Sequence, residues 1–330
     1  MPIGALPAVL RRNTLSRPAN PPAVNSLDPR TDAGQAAARL LWRAALLMAA
    51  SAMLFGAMAI VIRLASKQLH AFEIAFFRNL LGATFALPLL WRHGLGLLHT
   101  DKLGFYVLRC AIGIVSMLAG FWAIVHLPLA QAIALSYSTP LFVTIGAVLF
   151  LGEVVRIRRW SAVLVGFLGV LVIVRPGAAA FSLASLVPLL AAAMSGSVAI
   201  SIKYLSRTER PDAIVLLTSL LWVPLSLGPA AFVWQRPQGI TWLWLVLAGF
   251  FGTTAHMCWT RALRLGEVSA LTPLSFLQLP VVALAGYALF GEQIDAWTLT
   301  GAGIILASNL YIAQREAALA RRRAHVPPAA

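Results

Sequence analysis

Residues 128–153 read PLAQAIALSYSTPLFVTIGAVLFLGE. The stretch is long enough to cross a bilayer, yet Ser136, Tyr137, Ser138, Thr139 and Pro140 interrupt its middle, and Gly152-Glu153 closes it. Residues 268–292, VSALTPLSFLQLPVVALAGYALFGE, repeat the pattern, with Thr272, Pro273, Ser275, Gln278 and Pro280 inside the apolar run and Gly291-Glu292 at its end. An interior proline removes a backbone donor and clashes with the preceding turn. In hydrocarbon the freed carbonyl must find a partner, so these segments are expected to face other helices or a cavity rather than lipid. Interrupted spans in corresponding places point to a transporter's central site.

Working outward, the composition fits the same class. The 330 residues are 60% hydrophobic and 11% charged, against about a quarter charged in soluble domains. Apolar runs of about twenty residues recur along the chain. They predict an all-α polytopic membrane protein with ten spans, at 44–64, 71–91, 104–124, 129–151, 159–175, 183–204, 212–234, 241–262, 270–290 and 295–313. Residues 1–43, rich in Ala, Pro and Arg, are expected to be a disordered cytoplasmic tail, and 314–330 a basic one. GALPAVL, residues 4–10, is too short for a signal-peptide core.

The net charge of +15 would suit nucleic acid, but its placement argues for topology. Of the 26 Lys and Arg, 20 fall in the tails and loops of one side; the other side holds Arg63, Lys67, Arg175 and Arg236, and Arg78 and Arg109 lie within spans. The positive-inside rule then places both termini in the cytoplasm, and no nucleic-acid partner is expected. Cys110 and Cys258 lie within spans without metal-ligand spacing, and no metal, cofactor or catalytic residue is expected.

The chain also repeats itself at an offset of 140 residues. Residues 52–66, AMLFGAMAIVIRLAS, lie against 192–206, AAMSGSVAISIKYLS, matching Gly56 with Gly196, Ile60 with Ile200 and Ser66 with Ser206, while Arg63 meets Lys203 and Pro140 meets Pro280. Five spans per repeat is an odd number, so the second repeat (183–313) enters from the face opposite to the first (44–175). Such an inverted-topology pair serves alternating access around a midplane site.

With this organisation, and with LPLAQAIALSYSTPLFVTIGAVLFLGE (127–153) followed by RRWSAVLVGFLGVLVIVRPG (158–177), the chain resembles the EamA branch of the drug/metabolite transporter superfamily over residues 44–313. The second half departs from the first, holding Gln278 where the first has Ser138. The resemblance implies secondary transport of a small metabolite: an amino acid or its derivative, a nucleoside, a vitamin or a drug.

Candidate substrate-binding residues follow from polar groups at membrane depth. Tyr137, Pro140 and Thr144 share one helical face, with Ser136 and Thr139 beside it. These groups would hydrogen-bond a substrate or, alternatively, their own helix. Gln278, with Ser275 nearby, is costly to bury and is expected to face a cavity or a partner helix. His256 could bind substrate, carry a proton or join two helices, and Ser116 is its repeat counterpart. Trp122 and Trp259 could stack a planar substrate or anchor span ends. Arg78 and Arg109 would favour an anionic or zwitterionic substrate if they face the cavity, or would snorkel if they do not. Gly166, Gly169, Gly301 and Gly303 read as close-packing positions, in the monomer or in a homodimer.

The expected setting is the bacterial inner membrane, with a small-molecule substrate and the lipid bilayer as partners. An intramembrane transferase or a helical scaffold is the alternative. A transferase would require clustered His, Asp or Glu near one interface, which the sequence lacks.

Overall fold

The computed structural model describes residues 32–93, 100, 102–151, 157–177, 181–205, 211–265, 268–293 and 295–324. The chain divides into two units, residues 1–40 and 41–330; of the first, 32–40 are described and helical. The described residues contain no strand. Twelve helices follow in order: α1 (Asp32–Ala65), α2 (Ala71–His93), α3 (Leu103–His126), α4 (Leu129–Ser136), α5 (Thr139–Leu151), α6 (Ile157–Val174), α7 (Leu186–Leu205), α8 (Pro211–Ala231), α9 (Thr241–Leu265), α10 (Val268–Ser275), α11 (Gln278–Phe290) and α12 (Ala296–Ala324), with a 3-10 turn (Leu183–Ser185) before α7.

Among the described residues, six segments are long and apolar enough to cross a membrane: Arg39–Ala65, Leu103–His126, Leu129–Leu149, Leu183–Ser201, Pro273–Phe290 and Ala296–Arg315. Trp160–Val174 and Leu217–Ala231 are shorter apolar helices. The architecture is that of a multi-pass membrane protein. Apolar side chains such as Leu164, Leu168 and Leu171 on α6, and Leu243, Val246 and Phe250 on α9, stand exposed on the outer surface, where lipid would cover them.

Two of the expected spans are each two helices. The fourth breaks between α4 and α5 at Tyr137-Ser138, and the ninth between α10 and α11 at Phe276-Leu277. The terminal helices are longer than expected. Helix α1 begins at Asp32 and α12 runs to Ala324, because QAAARLL and REAALARR are composed of strong helix formers.

The main core gathers Ile62, Ile74, Leu129, Leu135, Leu245 and Ile305 from α1, α2, α4, α9 and α12. Glycines at repeat-equivalent positions set matching approaches. A Cβ on Gly56 of α1 would lie 3.0 Å from Val281 of α11, and one on Gly196 of α7 would lie 3.2 Å from Phe142 and Val143 of α5. In both cases the first helix of one repeat seats its glycine on the half-helix beyond the break of the other repeat. Helices α6 and α12 cross more closely still: a Cβ on Gly169 would meet the Gly301 carbonyl at 2.7 Å. Three of the four close-packing glycines therefore act within the chain, while Gly303 has open space beside it.

Candidate functional site

The two breaks meet. Leu141 donates its N–H to Ser138 rather than to Tyr137, and Leu279 donates to Phe276 rather than to Ser275. Each break thus takes a helical carbonyl away from its usual backbone donor, and a carbonyl left unpaired at membrane depth costs several kcal/mol. The Tyr137 hydroxyl donates to the freed Ser275 carbonyl at 3.2 Å. The freed Tyr137 carbonyl accepts from Asn309 Nδ2 at 2.7 Å. Phe276 packs edge-on to the Tyr137 ring at 5.0 Å. One residue, through its side chain and its carbonyl, thereby joins α4–α5, α10–α11 and α12.

The hydroxyls around the first break turn inward to their own helix. Ser136 donates to Ile133 (2.7 Å), Ser138 to Leu135 (2.7 Å) and Thr139 to Ser136 (2.8 Å), the last meeting the carbonyl that Pro140, lacking an N–H, leaves open. Thr144 donates back to Pro140 at 3.0 Å. Ser136 and Pro140 are nevertheless exposed in the isolated chain. Gln278 opens α11 beside Gly56 of α1, with its Cγ 3.7 Å from where a Gly56 Cβ would stand.

A second polar group lies across α1 from Gln278. Arg78 of α2 donates through Nη1 to Asn79 Oδ1 at 3.0 Å, and Asn79 Nδ2 reaches Ser226 Oγ of α8 at 3.3 Å. The Arg78 Nε is buried without a partner among the described residues. A Cβ on Gly252 of α9 would stand 3.0 Å from both Nε and Nη2. His256, one turn further along α9, sits edge-on to Phe55 at 5.0 Å and within electrostatic reach of Arg78. Its imidazole is accessible.

Glu73 is wholly buried but does not pair with Arg78. Its carboxylate accepts from the His70 N–H (3.1 Å), as a capping residue does at the third helical position, and from the Gln235 N–H (2.5 Å).

Two further candidates lie between helices. Ser116 of α3 donates to the Ala191 carbonyl of α7 at 2.8 Å and shares a 2.7 Å hydrogen bond with Ser195. Arg109 donates through Nη1 to Thr218 of α8 at 2.6 Å. Trp122 stacks on His126 at 4.2 Å, and Trp259 is exposed.

The Gly291-Glu292 pair is the anchor of a separate cluster. Gly291 takes the left-handed conformation (φ 66°) and ends α11, a region open to glycine at no steric cost. Glu292 then donates its N–H back to the Gly286 carbonyl at 3.0 Å. Its side chain folds over the glycine: a Cβ on Gly286 would lie 2.7 Å from Oε2. Oε2 accepts from the Leu129 N–H at the start of α4 (2.8 Å), and Oε1 pairs with Arg63 at the end of α1 (2.9 Å). Arg63 also donates to the carbonyls of Ile124 (2.6 Å), Val125 and Leu127 (3.1 Å), covering the end of α3. Nearby, Arg175 pairs with Asp295, which accepts from the Thr298 N–H at 3.3 Å. The first Gly-Glu pair, 152–153, lies outside the described residues.

Asn309, Asn79 and Glu292 are functional-looking residues absent from the expected set. Asn309, a buried amide in the last span, gives the same signal as Gln278 and could have been found by it.

Comparison with known proteins matches this geometry to one family. The model of the EamA-like transporter family covers residues 42–175 and 182–314, one match for each repeat. A riboflavin transporter of Vibrio cholerae is 36% identical over 69% of this chain and 78% of its own length. A riboflavin transporter of Brucella anthropi is 32% identical over 75% of this chain and 89% of its own. An S-adenosylmethionine uptake transporter of Rickettsia felis is 30% identical over 76% of this chain and 85% of its own. A solved crystal structure at 17% identity superposes with a TM-score of 0.58 over 86% of this chain and 99% of its own, a likeness of fold. Two matched repeats and relatives aligned along most of their length place the chain in the EamA-like transporter family of the drug/metabolite transporter superfamily, as a carrier of small metabolites.

Proposed function

We propose that the chain is a secondary transporter of ten spans, working by alternating access around a site bounded by the two helix breaks. The observation that carries this reading is the bond from Tyr137 to the Ser275 carbonyl. It joins the two interrupted helices where each has surrendered a backbone hydrogen bond, so it can be exchanged for a substrate contact without loss of a helical turn. Lipid can satisfy neither of its ends.

The repeats, residues 44–175 and 183–313, are taken as inverted, with both termini cytoplasmic and the protein in the bacterial inner membrane. On that topology Arg63–Glu292 and Arg175–Asp295 lie together on the outer face. Arg63–Glu292 holds the ends of α1 and α3 to the start of α4, and is the outer closure that rocking of the repeats would open. Lys203 at the repeat offset, with Glu153 one residue off it, is the corresponding pair; these residues lie outside the described side chains and would close the inner face in turn.

The substrate is a small polar or amphipathic metabolite. The relatives are named for riboflavin and S-adenosylmethionine, which favours a vitamin or an amino-acid derivative. The chain acts as a carrier and not as an enzyme, as a monomer or homodimer. The reading is tested by flux of a labelled metabolite panel into liposomes holding the purified chain, with and without a pH gradient. Saturable flux of at least one solute, absent from protein-free liposomes, supports it; failure to move any solute overturns it.

A further inference from the structure

We propose that the Nε–Nη2 edge of Arg78 binds a carboxylate of the substrate, so that the chain carries an organic acid or an amino-acid derivative in preference to its neutral analogues. The inference rests on the transport reading and specifies the substrate class of that site. Nη1 is engaged by Asn79, which fixes the guanidinium plane, and Asn79 is itself held by Ser226 of α8. Ser226 donates onward to the Trp222 carbonyl at 2.6 Å. Nε is buried with no acceptor among the described residues, and no described carboxylate pairs with the guanidinium. Glu73, the one wholly buried acid among the described residues, is occupied by the backbone N–H groups of His70 and Gln235.

Nε and Nη2 pack against Gly252, where any other residue would set a Cβ 3.0 Å from both nitrogens. Nε and Nη2 form the side-on fork that donates to both oxygens of one carboxylate. A cation this deep without a counter-charge is expensive, and intramembrane arginines are otherwise paired or face a cavity. A neutral ligand would leave that cost in place, whereas a carboxylate removes it. His256, the titratable neighbour on α9, contributes an imidazole and no negative charge, so none of the described residues supplies the counter-ion that a ligand carboxylate would.

The test measures binding to the purified full chain in nanodiscs. The probes are S-adenosylmethionine, the standard amino acids and short dicarboxylates, each beside its methyl ester or amide. The expected result is that at least one acid binds and its ester binds about tenfold more weakly or less. Arg78→Gln should abolish that preference, Arg78→Lys should restore part of it, and Gly252→Ala should weaken the acid while sparing the ester. Binding of no acid, equal binding of acid and ester, or a preference that survives Arg78→Gln would overturn the inference. Saturable flux of neutral riboflavin with no acid carried would do the same, leaving the transport reading intact. Acid-selective binding with no flux of any solute would overturn the transport reading alone.

Discussion

The Tyr137 hydroxyl, at the break between α4 and α5, donates to the main-chain carbonyl of Ser275, at the break between α10 and α11, across 3.2 Å. Residues 138 positions apart in the chain thus share a hydrogen bond that neither helix could make if it were continuous. Tyr137→Phe removes the donor and keeps the ring against Phe276. Loss of one such bond costs about 1 kcal/mol, too little to unfold the chain. Transport should fall several-fold while the protein still purifies as a monodisperse species, and size-exclusion chromatography beside the flux assay checks both.

Asn309 is a different case. Its amide satisfies the carbonyl that the first break frees, so Asn309→Leu leaves that carbonyl bare in a buried position at a cost of about 1–3 kcal/mol. The expected outcome is a lower thermal midpoint in detergent than for Tyr137→Phe, by several degrees. Equal midpoints would mean that Tyr137 O has another partner.

Arg63 and Glu292 each hold backbone groups besides one another. A double-mutant cycle with Arg63→Gln and Glu292→Gln should therefore show a coupling smaller than either single effect, on the order of 1 kcal/mol for a pair still reached by water. If the pair closes the outer face, either change should also make a cysteine at position 137 react faster with an impermeant maleimide, in a background with Cys110 and Cys258 replaced. Unchanged reactivity would separate the pair from gating.

Gly291→Ala tests the turn that aims Glu292. At φ 66° a side chain is strained by about 1 kcal/mol, and the carboxylate would lose its place over Gly286. The thermal midpoint should fall, and the effect should shrink when Glu292 is already Gln.

The breaks, the repeat and the family were legible in the sequence because each leaves a local mark: prolines and hydroxyls inside an apolar run, and glycines at one offset. The roles of single polar residues were less so. Ser136 and Thr139 satisfy their own helix, and Ser116 bonds α7, because a hydroxyl reaches a carbonyl three or four residues back as readily as a ligand. Tyr137 is too long to turn back, so it must cross to another segment. Neither its target at Ser275 nor the Asn309 contact has any mark in the local sequence, since both depend on how distant helices pack. The same holds for Glu292: the Gly-Glu pair was visible as a motif, and its grip on Arg63 and α4 was not.

The most direct test of the central claim is the flux of one transported metabolite in liposomes, compared between wild type, Tyr137→Phe and Gln278→Leu at equal reconstituted amounts. Both variants should insert as wild type does and lose most of the flux, since their side chains bound the space between the two breaks. Wild-type flux in both variants would contradict it and place the site elsewhere in the helices.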